Sequence, residues 1–143
     1  MKNFLFVAAL NSSIDNENNS LSIFSCLENI DVTAKETPVP QKTIRLPVRF
    51  ELISGWTVES NKENFLTIKH QLVDPFGKLL MESPERSIRI KAKSKRIRHR
   101  EKVPFIHITS EGEYYFKLLQ KKKDSFKETS LFPLEITLRK QKK

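Results

Sequence analysis

Glycine, cysteine and long apolar runs are what this chain has least of. Its 143 residues include three glycines, which all but excludes the glycine-rich loops that cradle phosphates. There is one cysteine, Cys26. A lone cysteine forms no internal disulfide and completes no cysteine-based zinc site, so the chain is read as a cytoplasmic protein. No stretch approaches the ~18 consecutive apolar residues of a membrane span. The run Phe4-Leu5-Phe6-Val7-Ala8-Ala9-Leu10 is at the short limit for a signal-peptide core. The Asn11-Ser12-Ser13 that follows lacks a clean small-x-small cleavage site. The run is therefore expected to be a buried first strand.

Catalytic signatures are missing as well. The sequence contains no nucleophile elbow, Walker loop, dinucleotide fingerprint or His-Glu-x-x-His pair. Its three histidines, His70, His99 and His107, match no short metal-binding spacing. His70 falls in phase with Leu66, Ile68 and Leu72 and is expected in the core or at its rim. Asp31, Glu51 and Glu82 are carboxylates that folding can bring together, but nothing in the sequence selects them. No enzyme activity, metal or cofactor is expected.

What the chain does have is basic charge in one half. Residues 1–72 carry 7 Lys/Arg and 8 Asp/Glu, whereas residues 73–143 carry 19 and 9. The imbalance concentrates in a run from Arg86 to Lys102. Arg89, Lys91, Lys93 and Lys95 occupy odd positions, and Ile88, Ile90 and Ala92 even ones. In a strand this separates charged and apolar faces. After Lys95 the phase slips, so Arg96, Arg98, Arg100 and Lys102 are even while Ile97 is odd. A bulge or turn near Ser94 to Arg96 explains the slip, and Ser94 to Lys102 is expected to be a loop or bulged hairpin.

Three explanations fit this run. Alternating Lys/Arg protects an edge strand from further pairing. The same charges suit an anionic protein or small anion. Charges two residues apart on a strand stand ~6.6 Å apart, so several together suit a nucleic-acid backbone. No aromatic residue lies between Ser87 and Val103 for bases to stack on, which disfavours specific single-strand readout. The candidate anion contacts are Arg89, Lys91, Lys93, Arg96, Arg98 and Arg100. Lys121-Lys122-Lys123 reads as a hairpin tip, and residues 139–143 as a frayed basic tail.

Elsewhere period-2 patterns dominate. Leu21 to Leu27 is a short apolar run. Leu46 to Leu52, Leu66 to Leu72, Tyr114 to Leu118 and Leu134 to Leu138 alternate as half-buried strands do. Thr33 to Lys42, with Pro38 and Pro40, reads as a linker. Asp74-Pro75-Phe76-Gly77 suits a type I turn, and Ser110 to Glu113 a second turn. Glu59 to Phe65 is the one helix candidate, with Ser60 as N-cap and Glu63 at the capping-box position. The expected fold is all-β: one domain over 1–143, an antiparallel β-sandwich of about eight or nine strands with at most one short helix.

Gly112-Glu113-Tyr114-Tyr115-Phe116 opens a strand after a turn. It resembles the tyrosine corner of immunoglobulin-like and fibronectin-like sandwiches, which implies that Tyr114 bonds back to upstream backbone. Phe116 stands where antibody domains place a cysteine. The order of the opening strand, the Leu21 to Ile30 segment, the proline linker, the Asp74 turn and Gly112-x-Tyr114 is similar to that of a family of small stand-alone bacterial β-sandwich proteins of unassigned function. These resemblances imply a fold and not an activity.

Tyr114 to Leu119 and Val103 to Ile108 carry apolar groups on both faces. Either they are central strands covered by other elements, or they pair with another subunit. With no catalytic motif, the leading expectation is a non-enzymatic interaction module that binds a protein partner or itself. A nonspecific nucleic-acid binder using the 86–102 segment is the alternative from another class, and an enzyme of unrecognised type is the third.

Overall fold

Short alternating segments, each closed by a turn or a proline, leave little for a helix to nucleate on. The computed structural model describes residues 1–34 and 42–140. Its strands are Lys2–Ile14 (β1), Leu21–Cys26 (β2), Asn29–Ala34 (β3), Ile44–Leu46 (β4), Phe50–Thr57 (β5), Asn64–Val73 (β6), Leu79–Glu82 (β7), Arg86–Ile90 (β8), Arg96–Val103 (β9), Ile106–Ile108 (β10), Gly112–Lys122 (β11) and Ser125–Lys140 (β12). The fold is all-β and sandwich-like, and no helix occurs among the described residues.

Twelve strands stand where eight or nine were expected, and one of the extra breaks has a plain local cause. Pro47 lacks the N–H a ladder needs, so the Leu46 to Leu52 alternation splits into β4 and β5. A bond from Val48 N to Leu46 O (2.9 Å) marks the break. The helix expected at Glu59 to Phe65 does not form. Ser60 Oγ accepts from Lys62 N at 3.2 Å, a turn two residues long, and Asn64 then enters β6. The linker prolines Pro38 and Pro40 lie outside the described residues.

One sheet has the order β2-β1-β5-β9. The larger one runs β3-β12-β11-β6, with β7 and β8 pairing successive parts of the free side of β6. A small pair, β4 with β10, stands apart. The pairing is antiparallel except between β3 and β12, which run parallel. This departs from the wholly antiparallel expectation. The chain leaves edge strand β2, plugs Leu27 between the sheets, and enters the second sheet beside β12. Bonds from Leu27 N to Ala8 O (2.7 Å) and from Glu135 N to Glu28 O (2.8 Å) secure the crossing.

The inward faces meet in one apolar core. Phe6, Ala8, Phe50, Leu52 and Trp56 come from the first sheet; Leu66, Ile68, Leu72, Tyr114, Phe116, Leu118, Leu134 and Ile136 come from the second. Burying each of the larger side chains contributes roughly 1.5–3 kcal/mol. The β11 strand is central, between β12 and β6, which accounts for its apolar surplus. The stretch Val103 to Ile108 instead ends β9, breaks at Pro104 and forms β10 against β4.

Two turns lock the far end of the second sheet. Gly77 N bonds Asp74 O at 3.0 Å, with Gly77 at φ +82°. Asp74 Oδ1 accepts from Phe76 N (2.9 Å) and Lys78 N (2.8 Å), while Oδ2 accepts from Thr109 Oγ1 at 3.0 Å. The Tyr114 hydroxyl accepts from Thr109 N and Ser110 N, both at 2.9 Å, and donates to Ser110 O at 2.5 Å. One phenol thus satisfies three backbone groups just upstream.

Candidate functional site

The basic run folds into parts of both sheets. Its first segment is β8, at the free side of β6, with Ser87 and Arg89 outward and Ile88 and Ile90 inward. Residues 91–95 then cross to the other sheet. Ser94 N bonds Lys91 O at 3.2 Å, Lys93 takes φ +67°, and Lys93 N and Val58 N bond Asn61 O (3.2 Å) and Lys95 O (2.8 Å). The chain re-emerges as β9. Ser94 to Lys102 was expected as a loop or bulged hairpin; from Arg96 onward it is instead a regular strand, paired residue by residue with β5. The phase slip marks a change of sheet: β8 turns even-numbered residues to the core and β9 odd-numbered ones, a reversal set by the crossing at residues 91–95 between them.

The six candidate cations fall into two groups. Arg89 is ion-paired with Glu63 (Nε–Oε1 2.9 Å) on the outer side of the second sheet, and Lys91 and Lys93 are exposed at the crossing. Arg96, Arg98 and Arg100 form a row with Lys102 on the outer side of β9, opposite Thr57, Gly55, Ile53 and Glu51. Arg98 donates to Asn19 O (2.9 Å) and Oδ1 (2.8 Å), and Arg100 donates to Ser12 Oγ (3.2 Å). Ser12 in turn donates to the buried Glu51. These contacts draw the β1–β2 hairpin against β9. Among the described residues, none of Arg96, Arg98, Arg100 and Lys102 belongs to an ion pair.

Other basic segments are spread elsewhere. Lys123, at φ +58°, sits at the tip between β11 and β12. Arg139 and Lys140, expected to fray, are held in β12 by parallel pairing with β3, and Arg139 lies 3.6 Å from Asp31. Residues 141–143 lie outside the described residues.

The backbone of β9 is open on one side. It closes the first sheet as its last strand, and among the described residues it pairs with β5 alone. An open row of N–H and C=O groups is a template for another strand. Next to it lies a slot of about 330 Å³ between the sheet edges, floored by Phe50, Leu52, Leu72, Met81, Val103 and Phe116 and rimmed by His70, Ser83, Arg86 and Glu101. On the outer side, Leu10, Arg49 and Glu51 line a shallower depression that shares Phe50, Lys102, Val103 and Pro104 with the slot.

The rim of the slot is a polar network. Arg86 shares the inward phase of Ile88 and Ile90, and meets Glu101 through Nε (3.1 Å) and Nη2 (2.7 Å). Glu101 also bonds His99 Nε2 at 3.0 Å. Burial alone would raise the Glu101 carboxyl, but the hydrogen bonds from Arg86 and His99 prevail and hold it below the usual range. His70 is buried, stacked between Phe6 (6.1 Å) and His99 (6.0 Å), with Nδ1 3.5 Å from Ser83 Oγ. Its Nε2 has no hydrogen-bond partner among the described residues. Desolvation first, then the neighbouring His99, pushes its pKa down to about 4.

Several side chains that matter here escaped sequence reasoning. Glu101 is the one acid in the run, and its inward phase with Ile97, His99 and Val103 was a usable signal: an inward carboxylate requires a partner. The aromatics missing from the run come from other strands. Phe4, about half exposed, lies 5.7 Å from Arg96, and the exposed Phe65 pairs with Arg89. Cys26, within the apolar run Leu21 to Leu27, is exposed. It ends edge strand β2, next to Ser25 at φ +57°, where the alternation breaks. Asp31, Glu51 and Glu82 stay apart, bonded to Arg139, Ser12 and Gln71 respectively. His107 stacks on Phe105 (5.0 Å), and no three metal-ligating side chains cluster among the described residues. No described helix is long and apolar enough to cross a membrane.

No protein-family model matches this chain, and no curated protein matches it.

Proposed function

We propose that this chain is a non-enzymatic interaction module, an immunoglobulin-like sandwich of the cytoplasm, that binds a protein partner along the open edge of β9. The observation that carries this reading is the pairing of a free backbone edge with a row of arginines that belong to no ion pair among the described residues. Strand addition gains its affinity from main-chain hydrogen bonds and its selectivity from alternate side chains. Acidic residues on the incoming strand complement Arg96, Arg98 and Arg100. The Tyr114 hydroxyl, bonded to the backbone of Thr109 and Ser110, supports the immunoglobulin-like assignment. The exposed free thiol of Cys26 supports a reducing compartment.

Self-association is disfavoured at this edge, because two antiparallel β9 strands would set arginine against arginine. A second reading has its own observation. Phe4 and Phe65 flank the crossing that carries Lys91, Lys93 and Lys95, which is the mixture of stacking surface and charge that single-stranded nucleic acid uses.

Fluorescence anisotropy with a labelled glutamate-rich peptide and a labelled oligonucleotide, at low and moderate ionic strength, separates the two. Arg96→Glu with Lys102→Glu is expected to weaken the peptide at least tenfold. Lys91→Glu with Lys93→Glu is expected to leave it within threefold. Loss of oligonucleotide affinity in the crossing variant, with no peptide binding to any form, would replace the protein-partner reading by the nucleic-acid one. A dimer by light scattering that survives both pairs of changes would replace it by self-association.

A further inference from the structure

The slot and the outer depression lie on either side of the same short stretch of β9. Inward-pointing Glu101 and Val103 border the slot, which sets an apolar floor against the polar side chains of His70, Gln71, Ser83 and Arg86; outward-pointing Lys102 stands where slot and depression meet, and Arg49 and Glu51 line the depression alone. Of the slot's charges, Arg86 and Glu101 are committed to each other as a two-point ion pair and Glu82 to Gln71 and Lys69, which leaves Lys102. Lys102 and Arg49 have no described ion-pair partner. A small molecule seated in the slot can meet Lys102 but leaves Arg49, on the other face, unmet. A strand laid beside β9 reaches both, because its successive side chains point to opposite faces.

Resting on the proposed role of β9, we infer that the partner segment is an extended peptide that alternates acidic residues with a large apolar one. It adds to β9 near residues 99–103, so that the apolar side chain enters the slot while its acidic neighbours face Arg100, Lys102 and Arg49. At about 330 Å³ the slot is at the lower end of the ~300–1,000 Å³ range of ligand pockets. That suits one aromatic or long aliphatic side chain rather than a whole ligand. Met81, half-buried on the slot wall and flexible, adapts to such an insert.

The test compares two peptides of equal length and charge, one alternating Glu with Thr around a central Phe, the other with Ser in place of Phe. Titration calorimetry gives the affinities. The protein contains two methionines, Met1 and Met81, so methionine-methyl labelling gives two assignable signals. The Phe peptide is expected to bind about tenfold more tightly, the return on burying one aromatic side chain net of ordering it. The Met81 methyl signal should shift upfield under its ring while Met1 stays fixed. Met81→Phe, which fills the slot, should bring the two peptides to equal affinity. Equal binding of both peptides to the unaltered protein, with Met81 unmoved, overturns the inference and leaves β9 as the partner edge. Binding of neither overturns both.

Discussion

Glu101 of β9 and Arg86 of β8 join the two sheets across the open side of the sandwich. Two guanidinium nitrogens, Nε and Nη2, lie 3.1 and 2.7 Å from Glu101 Oε1. Glu101 is buried, and the Arg86 side chain is 45% exposed. The exposure limits what the pair contributes, but removing Arg86 leaves a largely buried carboxylate with His99 alone. Arg86→Ala is expected to cost about 1–2 kcal/mol in urea unfolding followed by the fluorescence of the single Trp56. Arg86→Lys should recover only part of this, because an ammonium cannot make the planar two-point contact.

Acid should weaken the fold through His70. When unfolded it takes up its proton near pH 6.5; when folded, only near 4. Between those values the unfolded chain binds more protons, so stability is full above pH 6.5 and is lost as pH falls towards 4. The loss is about 3 kcal/mol. Below roughly pH 4.5 the lowered Glu101 carboxyl adds its own loss in the same direction. His70→Phe keeps an aromatic ring between Phe6 and His99 and removes the unpartnered Nε2. Urea midpoints of this variant should stay level between pH 6.5 and 4.5, where those of the parent decline.

Tyr114→Phe keeps the ring and deletes one oxygen. Thr109 N, Ser110 N and Ser110 O then lose their partner in a buried turn. The expected cost is about 2 kcal/mol, with faster amide exchange at Thr109 and Ser110. A variant as stable as the parent would mean that solvent reaches this turn.

Gly112 stands at φ +139°, and a Cβ there would come within 2.7 Å of Pro75 Cγ. Gly112→Ala combines backbone strain with a collision between the two turns, and about 2–3 kcal/mol of destabilisation is expected from the melting temperature. Gly77→Ala, at φ +82° but with open space around it, should cost less, because only the backbone term remains.

Local rules made much of this fold legible. Leu66 to Leu72 and Tyr114 to Leu118 alternate because each strand has one dry face, and Asp74 to Gly77 turns because its side chains and glycine dictate it. The division of the basic run near Ser94 was also visible, although its meaning was not. A phase slip is the same in sequence whether a strand bulges or crosses to another sheet. What stayed hidden depends on partners distant along the chain. The parallel pairing of β3 with β12 joins residues about a hundred positions apart. The slot exists only because β7, β8 and β9 bring their ends together. Phe4 and Phe65 joined the basic residues through strand pairing, which no inspection of residues 86–102 alone reveals.

The most direct test of β9 as the partner edge is amide hydrogen exchange across residues 96–103, with and without a saturating glutamate-rich peptide at low ionic strength. Strand addition predicts that amides of β9 turned away from β5 become protected while those already bonded to β5 change little. Unchanged exchange along β9, with binding effects confined to the 91–95 crossing, would contradict it.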